Sequence, residues 1–308
     1  MHNHLDRDLI GYGPNPPDPQ WPDGARIAVS FVLNYEEGGE NTILNGDPAS
    51  EVYLTEVPGG TPMVGERDYS TESVYEYGSR AGFWRILRLF NERNLKFTSW
   101  AVGKALELNP AVGKAMADSG HEVASHGYRW INYKDFTLEQ ELDHIRKAFA
   151  AIEKSAGKKP VGWYTGRFGK NTLKAVIQHG GILYSSDSYN DDLPYWVKVA
   201  TDKGESMPHL IVPYTLEVND MKFAVPPGFS QGDGWLQAMK DAFDMLYAEG
   251  ARTPKMMSVG IHCRLAGRPS RAATLTRFLD YVSSKPKVWV ATREQIARHF
   301  MKVHPAKA

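Results

Sequence analysis

Short apolar runs alternate with helix-period segments along most of the chain. The runs Arg26–Leu33, Lys96–Val102, His121–Ser125, Val161–Tyr164, Ile182–Ser185, Leu210–Tyr214, Lys255–Ile261 and Lys287–Ala291 are short and mostly apolar. Strands buried on both faces read this way. The segments between them repeat apolar residues at helical spacing. Ser79–Asn94 puts Phe83, Leu87 and Phe90 on one face, with Trp84 beside them. Thr137 and Gln140 form a capping box ahead of Leu138, Leu142, Ile145, Phe149 and Ile152, in a helix that runs to Gly157. Trp235–Glu249 follows Gly234 and stops at Gly250. Pro269–Ser284 opens on a proline suited to a first turn, and Thr292 with Gln295 repeats the capping-box spacing.

Seven or eight strand–helix units in a row predict parallel strands with helices outside. That number favours a closed, barrel-like α/β sheet over an open doubly wound one. No G-x-G-x-x-G follows the first strand, which weakens a dinucleotide-binding reading. Residues 1–24 include a Pro-rich segment, Gly11–Gly24, and predict an extended arm ahead of one domain over 25–308. The stretch Gly38–Tyr75 breaks the rhythm. It is long and rich in Gly and Pro, the kind of loop that is more often functional than idle.

Composition narrows the function. The 308 residues carry 36 Lys+Arg and 36 Asp+Glu, with no basic run, so nucleic acid is not an expected partner. The single cysteine, Cys263, excludes an intramolecular disulfide and a Cys-rich zinc site. It reads as a small buried hydrophobe. No apolar run approaches the roughly 20 residues of a membrane span, so no membrane partner is expected. The first residues lack the basic start and apolar core of a secretory signal, so the expected location is the cytoplasm.

In parallel barrels the chemistry sits at the C-terminal ends of the strands. The polar residues there are Asn34-Tyr35-Glu36-Glu37, Ser125-His126, Tyr164-Thr165-Gly166-Arg167, Ser186-Asp187, Asn219-Asp220 and His262-Cys263-Arg264. Glu36 and Glu37 are paired carboxylates, which push one pKa upward and suit acid–base work. His126 and His262 are candidate acid–base partners. Arg167 offers a fork of donors for a carbonyl or ureide oxygen. His121 opens its strand and reads as structural. There is no G-x-S-x-G and no H-E-x-x-H, so neither a serine hydrolase nor a zincin is indicated.

At these residues the chain resembles the polysaccharide deacetylase (NodB-homology) family, from about Arg26 to Phe300. That family's T-F-D-D-G motif matches Asn34-Tyr35-Glu36-Glu37-Gly38. Its second motif matches Gly120-His121-Glu122-Val123-Ala124-Ser125-His126 and then breaks, with Trp130 where a final histidine stands. His262 matches the strand-end histidine of the last motif. The resemblance implies a distorted (β/α) barrel of about seven parallel strands. It also implies a divalent-metal position at Glu37, His126 and Trp130, and Trp cannot ligate. A narrower likeness is to the cofactor-independent allantoinase branch. It rests on the N-Y-E-E-G-G-E-N run, Tyr75–Gly82, G-W-Y-T-G-R, Asp191–Trp196, Pro213–Leu216, and His262-Cys263-Arg264 with Gly267-Arg268-Pro269. Phe168-Gly169-Lys170 departs from that branch, which usually has Ser-Pro before Asn-Thr.

The resemblance implies hydrolytic opening of a cyclic amide, allantoin to allantoate, with neither metal nor cofactor. The substrate partner is then a small cyclic ureide, and the assembly a homo-oligomer, by resemblance a tetramer. Glu36, Glu37, His126 and His262 are the expected catalytic residues. Arg167, Trp130, Tyr164, Asp187 and Asn219 are the expected substrate contacts. The alternatives are a metal-dependent N-deacetylase of a sugar-like substrate using Glu37 and His126, a hydrolase of another cyclic ureide or imide, and a binding protein without turnover.

Overall fold

The computed structural model describes residues 1–58, 60–201 and 204–306. Its strands are β1 (Ile27–Tyr35), β2 (Thr98–Ala101), β3 (Glu122–Ser125), β4 (Gly162–Trp163), β5 (Tyr184–Ser185), β6 (Tyr195–Ala200), β7 (Ser206–Ile211), β8 (Lys255–His262) and β9 (Val288–Val290). Its helices are α1 (Tyr69–Tyr77), α2 (Phe83–Glu92), α3 (Gly103–Leu108), α4 (Pro110–Asp118), α5 (Leu138–Ala156), α6 (Thr172–His179), α7 (Gly232–Glu249), α8 (Pro269–Ser283) and α9 (Arg293–Val303). The nine strands form one sheet in the order β6-β7-β5-β4-β3-β2-β1-β8, with β9 also paired to β1. Every pairing is parallel except β6–β7. The sheet curves into a distorted barrel whose path ends at β6 and β8.

Both faces of β1 are buried along its whole length. Its side chains alternate between two cores. Val29, Phe31, Leu33 and Tyr35 pack outward with Phe83, Phe90, Phe243 and Phe278 of the helices. Ala28 and Val32 point inward to Trp100, Ala124, Tyr184 and Tyr214. β8 alternates in step: Met257, Val259, Ile261 and Cys263 belong to the outer core, and Met256 to the inner one.

The capping boxes at Thr137–Gln140 and Thr292–Gln295 are both formed, and Gly157 closes α5 in the left-handed conformation. Several expectations are corrected. β1 runs to Tyr35, not Leu33, because its last residues pair with β8 (Asn34 beside His262) and β2 (Tyr35 beside Ala101). β7 begins at Ser206 and ends at Ile211. Its exposed first half is held only by the unexpected β6, an antiparallel edge strand with Lys198 in its middle and one face toward solvent. The end of the Gly38–Tyr75 segment is helical: Asp68 caps α1 by accepting from Thr71 N at 3.0 Å. The helix expected from Ser79 starts instead as a π turn, Gly78–Gly82, before α2. α7 starts at Gly232 and runs through Gly234.

In the arm, Trp21 is buried and donates its indole N–H to the Lys255 carbonyl at 3.0 Å. No helix of the described residues is long and apolar enough to cross a membrane.

Candidate active site

The alternation along β1 and β8 decides what meets at the barrel mouth. Asn34 and Glu36 follow Val32 on the inner side, two residues at a time. His262 and Arg264 do the same after Met256, Ser258 and Gly260. Cys263 and Glu37 fall on the other side. β3 delivers His126 just past Ser125. Gly260 has to lack a side chain, because a Cβ there would overlap Tyr214 Oη and Asn219 Nδ2.

One carboxylate organises the centre. Glu36 is 1% exposed. Its Oε1 lies 3.2 Å from His126 Nε2 and 3.5 Å from His262 Nε2. Its Oε2 accepts from Arg264 Nη2 at 2.7 Å. Behind His262, Asp220 Oδ1 accepts a hydrogen bond from Nδ1 at 2.6 Å, and Asp220 Oδ2 accepts from the His262 and Ala266 backbone N–H groups at 2.7 and 2.9 Å. His126 Nδ1 faces the Tyr164 carbonyl at 3.2 Å, which only accepts, so that nitrogen carries its proton.

These contacts set the charges. Burial alone would raise Glu36, but Arg264, His262 and His126 outweigh it and hold the carboxyl well below the ordinary range. Burial alone would lower His262, but Glu36 and Asp220 raise it to about 9. Glu37 goes the other way. Burial and the neighbouring Glu36 push it up to about 7 against the pull of Arg264. Its Oε2 accepts from the Glu36 N–H at 2.9 Å. Its Oε1 and Arg264 Nη1, 3.6 Å apart, are both buried without a hydrogen-bond partner. The arrangement therefore holds an ionised carboxylate and an imidazolium in contact, in a site closed to bulk water.

The other expected residues surround this centre in different ways. Arg167 does not reach it. Nη1 donates to Glu51 Oε2 at 2.9 Å, and the guanidinium lies over Trp130 at 3.9 Å. Trp130 stacks on Tyr53 with ring centres 6.0 Å apart. Tyr164 shares a hydroxyl contact of 2.9 Å with Tyr189. Asp187 accepts from the backbone N–H groups of Thr165 and Gly166 and so shapes the turn that leads to Arg167. Asn219 binds the Tyr214 hydroxyl at 3.0 Å and caps the turn that carries Asp220. His121 is structural: it accepts from Phe97 N and stacks on the Phe97 ring, and burial pushes it down to about 3.

Asp220 and Arg264 are seen in the sequence only as strand-end polar residues, without a role, and Glu51 is missed. A signal existed for the first two. Asp220 adjoins Asn219, and Arg264 stands two positions past His262, on the same side of an extended strand. Glu51 lies in the irregular loop, where no periodicity points to a partner.

The metal implied by the family resemblance does not fit the residues present. Trp130 has no lone pair to give. The Glu37 and Glu36 carboxyls face the Arg264 guanidinium, and a fixed buried cation repels a second one. Among the described residues, no three His, Cys, Asp or Glu side chains are grouped to hold a metal ion.

Comparison with known proteins agrees with the fold. Residues 68–181 match the polysaccharide deacetylase family. A Schizosaccharomyces pombe chain with a polysaccharide deacetylase name is 50% identical over 317 residues, covering 98% of this chain and 99% of that one. The peptidoglycan deacetylase of Helicobacter pylori is 27% identical over 75% of this chain and 87% of its own. The solved structure of PuuE allantoinase is 53% identical, with a TM-score of 0.94 over 98% of this chain and 99% of that one. This chain therefore belongs to the polysaccharide deacetylase family of hydrolytic enzymes, on the branch that includes PuuE allantoinase.

Proposed function

We propose that the protein hydrolyses a cyclic amide C–N bond, opening allantoin to allantoate. The observation that carries this reading is the contact of Glu36 Oε1 with two imidazoles, one of them backed by Asp220. It supplies a base and an acid at one point. Glu36 takes a proton from a water whose oxygen attacks the ring carbonyl. Once protonated, Glu36 keeps that proton between the two imidazole rings, while His126, held by the Tyr164 carbonyl, fixes the carboxyl in place. The positive charge of His262 favours the developing oxyanion. His262 then gives its Nε2 proton to the leaving nitrogen as the C–N bond breaks. The proton held at Glu36 crosses to the now neutral His262, and the starting charges return. Water is consumed, and the products are a carboxylic acid and the freed ureido nitrogen.

The likeness to PuuE allantoinase supports allantoin as the substrate. Phe168, half exposed beside Arg167, favours a second reading within the same chemistry, a different cyclic ureide or imide. The test is release of allantoate from racemic allantoin by metal-stripped protein. Turnover is expected. If allantoin is untouched, with or without restored divalent metal, the substrate is wrong and hydantoins and cyclic imides are tried next. If turnover requires added metal, the mechanism above is wrong.

A further inference from the structure

Arg264 is fully buried and makes more of the site's connections than any acid–base function needs. Nη2 holds Glu36 Oε2 at 2.7 Å. Nε donates to the Leu54 carbonyl at 2.9 Å. The guanidinium lies over the Tyr75 ring at 4.1 Å and near Trp130 at 5.3 Å. Tyr75 in turn donates to the Tyr53 carbonyl at 3.1 Å. The loop residues held in this way, Glu51 to Leu54, also lean on Arg167 through Glu51, and Tyr53 stacks on Trp130. Leu54 is 3% exposed and has φ +53°. A branched residue adopts that left-handed conformation only when its surroundings over-determine it. The bond from its carbonyl to Arg264 is such a constraint.

We infer that Arg264 is a positioning residue that couples the loop at residues 51–54 to the catalytic carboxylate. One rigid guanidinium fixes Glu36 between His126 and His262 and, through Nε, holds the Leu54 carbonyl. A planar fork with donors on two edges does both at once, and a lysine ammonium, a point charge on a flexible stem, cannot hold both directions. Glu36 is then aligned only while the loop is in place.

This inference rests on the hydrolase reading for its kinetic arm alone. In R264A, kcat is expected to fall about 10²-fold or more, as for lost alignment of reacting groups, with KM changing less. Added guanidinium ion at tens of millimolar, far below denaturing concentrations, is expected to restore part of kcat saturably, and ammonium is not. R264K is expected to retain the fold and regain only part of the rate. A second arm needs no substrate: hydrogen–deuterium exchange of R264A and R264K against the wild-type chain. Backbone amides of residues 51–57 are expected to exchange faster in both variants, with β1 and β8 unchanged. Loop exchange equal to wild type in R264K overturns the coupling, whatever the substrate proves to be. A folded R264A with wild-type kcat, or one that guanidinium does not rescue, overturns the positioning role. If the wild-type chain opens no cyclic amide, the functional reading fails and the exchange arm alone decides the coupling.

Discussion

Glu36 and His262 divide the labour because their surroundings pull their titrations apart. With Glu36 replaced by Gln, the base is gone while the shape is kept. Turnover is expected to drop by about 10²–10⁴-fold with an unchanged far-UV spectrum, and H262N is expected to do the same; steady-state kinetics checks both. The pH dependence follows from His262. Its folded pKa of about 9 stands above the ordinary 6.5. The stability it contributes is therefore fully present below 6.5 and is lost as pH rises through about 9. The rate has the same alkaline limit, because the acid must carry its proton. Asp220 is one of the two charges that raise His262. D220N is expected to move the alkaline limb of the kcat/KM profile to lower pH, and an unmoved limb would assign that limb to another group.

At the scale of elements, local signals did their part where side chain and backbone answer each other within a few residues. Thr137 accepts from Gln140 N at 3.3 Å while Gln140 accepts from Thr137 N at 2.8 Å, which satisfies two orphan donors at the start of α5. T137A is expected to lose about 1 kcal/mol in urea unfolding, without a change in activity, since α5 packs outside the barrel. β6 and α1 were invisible for the opposite reason. β6 has one wet face and exists because β7 pairs with it, and α1 lies at the end of a Gly- and Pro-rich stretch.

Across the whole molecule, a second buried arginine fills the barrel. Arg293 opens α9 and donates to the Ser258 hydroxyl at 2.8 Å, to Ser186 Oγ, and to the Val212 and Pro213 carbonyls. It ties strand β8 to the segments that follow β5 and β7 from inside. Truncating it strands those groups without water. R293M is expected to cost about 3 kcal/mol or more, read as a lower urea midpoint at unchanged slope.

The sequence by itself determined the parallel strand–helix rhythm, because buried strands and amphipathic helices write their period directly into the chain. It also named Glu36, Glu37, His126 and His262, because chemistry in such a fold gathers at strand ends. Only the tertiary structure decided which of them meet. Glu36, His126 and His262 converge because strand parity turns all three inward, while Glu37 is turned away toward Gly78 and stays protonated up to about 7. Arg167 is taken by Glu51, and Arg264 occupies the centre in its place. Such pairings join positions 36, 126, 220 and 264, or 51 and 167, which no local pattern links. They arise only when the barrel closes its core and buried charges must find partners.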